Sequence, residues 1–145
     1  MKLKSLLIAV AALCSVVSVT AAEKIVGGPK GGRLLEVEGQ KAEFFVTKDK
    51  KIEITFYDAA LKPVAPAEQV VAITAEPKSG RAKIDLEKTA TGYISKAPVP
   101  EGTPYRVVVQ MRAKPDGKPQ NFRVDLDLAH CAGCSRTEYA CTCTD

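Results

Sequence analysis

The stretch Tyr105-Arg-Val-Val-Val-Gln-Met-Arg-Ala-Lys-Pro-Asp-Gly-Lys-Pro-Gln-Asn-Phe-Arg-Val-Asp-Leu-Asp-Leu128 decides the fold class. Two segments in it, Tyr105 to Met111 and Phe122 to Leu128, carry an apolar residue at every second position. That period puts one face of a strand on a core and the other in water. Between them lies a polar run, Lys114 to Pro119, whose Asp116-Gly117 pair is a turn signal. The whole stretch reads as a pair of antiparallel strands.

The pattern recurs upstream. Ile52, Ile54 and Phe56 alternate with Glu53, Thr55 and Tyr57, and Ala42, Phe44 and Val46 with Glu43 and Thr47. The short polar Lys48-Asp49-Lys50 joins these two into a hairpin. Val70 to Ala75 is a β-branched run closed by Pro77-Lys78-Ser79-Gly80. Ala82, Ile84 and Leu86 then alternate with Lys83, Asp85 and Glu87. Tyr93 to Lys96 is a weaker strand, closed by Pro98, Pro100 and Pro104. No segment sustains a period of 3.6. Seven or eight short strands at this spacing predict an all-β chain, a single antiparallel β-sandwich of the immunoglobulin-like kind. The cysteines do not follow the antibody pattern, which needs one in each of two distant strands.

The polar residues Glu53, Asp85, Asp125 and Asp127 read as the solvated faces of strands. Asp125 and Asp127 supply too few oxygens for calcium, which takes six to eight. Gly27-Gly28-Pro29-Lys30-Gly31-Gly32 lacks the strand before it and the Lys-Ser/Thr ending of a phosphate loop, and reads as a flexible lead-in or turn.

At the front, Lys2 and Lys4 precede an apolar run from Leu6 to Val19, with small residues at Thr20, Ala21 and Ala22. This is the pattern of a secretory signal peptide over residues 1–22, too short for a comfortable membrane span. Leu13 before Cys14 is too large for a lipid-attachment signal, so Cys14 belongs to the leader. The mature chain of about 120 residues then keeps four cysteines and suffices for one domain. Removing two lysines lowers the formal charge from +4 to near neutral, with no basic cluster for nucleic acid. The expectation is an exported, periplasmic or extracellular protein with no membrane insertion after signal removal.

The remaining cysteines crowd into His130-Cys131-Ala-Gly-Cys134-Ser-Arg-Thr-Glu-Tyr139-Ala-Cys141-Thr-Cys143, directly after the last strand. Cys-x-x-Cys and Cys-x-Cys joined by a short loop can fold back to present four thiolates. Four sulfurs, or three with His130, suit zinc, and two or three suit Cu(I). The same residues can instead close two disulfides, which an oxidising compartment favours. Of the three pairings among Cys131, Cys134, Cys141 and Cys143, one that bridges Cys141 to Cys143 is the most strained. A dithiol redox site would want a strand-to-helix setting that is missing here. Haem attachment would need histidine after, not before, the Cys-x-x-Cys pair. With one histidine and no tryptophan, no nucleophile–base–orienter set is visible, and a non-enzymatic binding protein is expected.

A family resemblance adds a second line. Pro29-Lys30-Gly31-Gly32-Arg33-Leu34-Leu35-Glu36, Lys41-Ala-Glu43-Phe44-Phe-Val46, Ile54-Thr-Phe56-Tyr57-Asp58 and Lys62-Pro63-Val64 resemble the small β-domain near the N-terminus of periplasmic adaptor subunits of heavy-metal resistance-nodulation-division efflux systems. That domain typically opens with Pro-His-Gly-Gly, and Lys30 stands here in place of the histidine. The adaptor's coiled hairpin and barrel segments are not found. The resemblance covers about a quarter of the chain. It implies a stand-alone β-module exported beside a metal-efflux envelope complex. The organisation expected is a leader over 1–22, a sandwich over 23–129 and a Cys-rich tail over 130–145, with zinc or Cu(I) on the tail.

Overall fold

A computed structural model describes residues 24–143; the expected leader lies outside them. Among the described residues the alternating segments form ten strands. These are β1 (Val26–Gly27), β2 (Arg33–Val37), β3 (Gln40–Val46), β4 (Ile52–Tyr57), β5 (Val70–Glu76), β6 (Ala82–Ile84), β7 (Leu86–Lys88), β8 (Gly92–Ser95), β9 (Tyr105–Arg112) and β10 (Gln120–Leu126). Among the described residues the one helical turn is a 3-10 turn over Glu138–Ala140. No helix among these residues is long and apolar enough to cross a membrane.

Every pairing among these strands is antiparallel, in two sheets ordered β1-β2-β3-β4-β8-β7 and β10-β9-β5-β6. Lettered in chain order from β3, these are A-B-E-D facing G-F-C-C′, the immunoglobulin-like arrangement, with β1 and β2 added beside the first strand. The alternation places Phe44, Ile54, Phe56 and Leu35 of one sheet against Ile73, Val107, Val109 and Phe122 of the other, all buried in one core. Tyr105, at the start of β9, donates its hydroxyl hydrogen to the Pro100 carbonyl at 2.7 Å. This is the tyrosine corner of such sandwiches, pinning the chain as it enters the strand.

Two local readings change. The alternation from Ala82 to Leu86 predicts one strand, but the chain changes sheets at Asp85: β6 pairs with β5, and β7 pairs with β8. Side-chain period does not report which neighbour a strand pairs with, so the crossover leaves no mark in it. The last strand ends at Leu126 rather than Leu128. There the Asp127 carboxylate accepts the Ala129 N–H at 2.9 Å and turns the chain away.

Of the two readings of the glycine-rich segment, the turn holds, as a packed clip rather than a flexible lead-in. Glu43 points to the outer face of its sheet yet is fully buried. Its carboxyl oxygens accept the backbone N–H of Lys30 (3.0 and 3.1 Å), that of Gly32 (2.7 Å) and the Tyr57 hydroxyl (2.7 Å). A Cβ at Gly28 would stand 2.2 Å from this carboxyl carbon, so glycine is needed for close approach. Lys30 adds an ion pair to Glu53 at 2.6 Å.

Candidate metal centre

Beyond Asp127 the chain makes a tight double-backed loop. Glu138 N–H donates to the Ala129 carbonyl and Cys131 N–H to the Arg136 carbonyl, both at 2.9 Å, with a bridge between His130 and Thr137. The 131–136 turn holds Cys131 and Cys134 at its tip. The 3-10 turn then brings Cys141 and Cys143 back over it.

This segment is anchored in the sandwich, although its sequence looks poor in apolar residues. Tyr139 (3 % exposed) and Ala140 (0 %) belong to the core, and the Tyr139 ring meets Phe44 edge-on at 5.6 Å. The Tyr139 hydroxyl oxygen accepts the Val46 N–H at 2.9 Å. β2 begins opposite Phe44, so this N–H has no partner on that strand. Tyr139 thus satisfies an otherwise orphaned backbone donor.

The consequence is a sulfur cluster. Cys131, Cys134, Cys141 and Cys143 have their Sγ atoms all within 4.8 Å of one another. Cys131 and Cys143 sulfurs lie 3.9 Å apart, and those of Cys134 and Cys141 3.8 Å. The edge of a tetrahedron with Zn–S near ~2.3 Å is about 3.8 Å. A thiol set this close could hold a metal ion, with two of its separations near that edge, and the thiols are unbonded to each other. His130 is exposed and stands outside this group.

Backbone dipoles support the sulfurs. The Arg136 N–H donates to the Cys134 sulfur and holds that thiol down to about 7, against the opposing effect of burial. The Cys143 N–H donates likewise to Cys141. The Cys141 thiol is nonetheless pushed up to about 12, first by its hydrogen bond with Cys131. Crowded thiols resist joint ionisation because like charges repel, and a bound cation removes that penalty.

Two residues with no ligand atom complete the site. A Cβ on Gly133 would stand 2.7 Å from the Cys143 sulfur, so only glycine leaves that sulfur its place. Arg136 reaches from the loop to the clip. Its guanidinium donates to the Gly32 carbonyl at 3.1 Å and to the Gly28 carbonyl at 3.4 Å, lying flat against Gly27. Residue type and spacing point to the four cysteines. Gly133 and Arg136 give no such signal, since their roles depend on what the fold lays against them. Compared with known proteins, the chain matches no family model, no curated protein and no solved structure.

Proposed function

We propose that this chain is an exported metal-binding β-sandwich whose centre is the thiolate set Cys131, Cys134, Cys141 and Cys143. One observation carries the reading: four sulfurs gathered within 4.8 Å, with separations of 3.8 and 3.9 Å that match a tetrahedron's edge. Four sulfurs rather than two or three favour zinc over Cu(I). The leader-like residues 1–22 support export, and the resemblance of the 29–64 region supports service beside a metal-efflux complex of the envelope. The work is binding rather than catalysis.

A second reading has its own observation. The sulfurs fall into two nested neighbours, Cys131 with Cys143 and Cys134 with Cys141, which an oxidant can close into disulfides. The protein would then be a stapled interaction domain. Elemental analysis and a thiol count on protein isolated anaerobically from its native envelope separate the two. The metal reading expects one zinc per chain and four thiols after denaturation. Full oxidation, together with no metal uptake after reduction, would decide against it.

A further inference from the structure

The centre lies outside a core that is already complete. Chains that need a metal to fold are those too short to bury enough apolar surface. Here Phe44, Phe56, Phe122 and Met111 are buried between two sheets, and Tyr139 is held by Phe44 and the Val46 N–H without help from any sulfur. A metal at this place is not required as a staple.

The four sulfur residues are also unequal. Cys131 is buried, Cys134 and Cys141 are half-buried, and Cys143 is exposed. Cys143 follows the 3-10 turn in a stretch without regular structure. Its sulfur rests on Gly133, itself exposed and with no side chain to shield it. An incoming donor therefore meets Cys143 first.

We infer that the centre carries its ion as cargo and passes it to a thiol-bearing acceptor by ligand exchange that begins at Cys143. This rests on the metal-binding reading above. The acceptor class follows from softness: an ion held by four sulfurs is best drawn off by other sulfurs. In the first step an acceptor thiol loses its proton as its sulfur bonds to the ion. The bond from the ion to Cys143 Sγ breaks, and Cys143 takes up a proton. No electron moves. Repetition at Cys141 frees the second arm; further acceptor thiols then replace Cys134 and, last, buried Cys131, each released cysteine taking up a proton as the incoming thiol loses one.

The test uses the reduced full chain loaded with cadmium alone, whose sulfur-to-metal charge-transfer band reports occupancy. Absence of that band would remove the metal-binding reading itself. With the band present, transfer to a synthetic peptide carrying one Cys-x-x-Cys pair, followed as the cadmium still bound to the protein after rapid separation by size, should be second order, so tenfold more peptide gives about a tenfold faster decay of protein-bound cadmium. Limiting iodoacetamide on the loaded protein, mapped by mass spectrometry, should label Cys143 first and Cys131 last. Decay that ignores peptide concentration and tracks global unfolding would overturn the proposal. So would labelling that starts at Cys131 or is uniform.

Discussion

Gly133 and Tyr139 show how much rests on single residues with no ligand atom. Gly133→Ala places a methyl 2.7 Å from the Cys143 sulfur, which must move by about 1 Å or more to restore ordinary contact. Zinc affinity should fall by about 10–100-fold, the range for disturbing a ligand's support, with the melting temperature of the metal-free protein unchanged. Competition with a chromogenic chelator measures it, and wild-type affinity would show that Cys143 is not a ligand. Tyr139→Phe keeps the ring against Phe44 but leaves the Val46 N–H unpaired, at a cost of about 1–2 kcal/mol. Urea unfolding of the metal-free protein reads this directly, and no loss would mean water replaces the hydroxyl. The ligands themselves are legible in the chain because four thiols in so short a segment have few other uses. Their supporters are not, because alanine, glycine and tyrosine between cysteines look like spacers until the fold packs something on them.

Among the elements, the loop over 130–143 and the clip over 28–32 are joined through Arg136, whose backbone serves the sulfurs and whose side chain serves the clip carbonyls. Metal removal should therefore raise amide exchange at Gly28 and Gly31, whose N–H groups close the clip's own turn. Arg136→Ala should produce the same loosening while leaving metal stoichiometry near one. Exchange unchanged in both cases would mean that the clip is held by Glu43 alone. The β2–β3 hairpin teaches a related lesson. Glu38 and Gly39 both take positive φ (49° and 79°), the geometry of a two-residue hairpin turn. Glu-Gly is a weak signal beside Asn-Gly or Asp-Gly, so this hairpin is hard to read in advance. The Lys48–Lys50 hairpin and the turn at Asp116-Gly117 announce themselves and form as expected.

For the whole molecule, the sandwich and the centre should separate. Replacing Cys131 and Cys134 together by serine should remove most of the zinc binding, since only two thiolates remain. The β-type far-UV circular dichroism should persist. Loss of the β signal would show that the metal is needed for the fold. High pH offers a second global test. Burial, ahead of other causes, raises the Tyr57, Tyr105 and Tyr139 phenols above their usual range. A folded value raised above the unfolded one gives stability that is complete below about pH 10 and lost as pH climbs through the folded values. The urea midpoint of the metal-free protein should fall steadily above that pH, with phenolate absorbance appearing in step with unfolding. A midpoint flat to strongly alkaline pH would mean these hydroxyls are open to solvent.

By itself the sequence determined the class of fold and which sulfurs would cluster. Both depend on local information: a period of two along each strand, and rare soft side chains close together in the chain. Only the tertiary structure decided how the strands divide into sheets, because Ala82 to Leu86 keeps one alternation while its two halves pair with different partners. It alone buried Glu43, a residue in the polar phase of its strand, because a clip from elsewhere in the chain covers that face. It also turned a segment that reads as a polar tail into part of the core, through Tyr139 and Ala140. Spacing can bring thiols near one another, but the gathering of all four within 4.8 Å depends on where that anchoring holds the returning arm, and no residue in either cysteine pair encodes it.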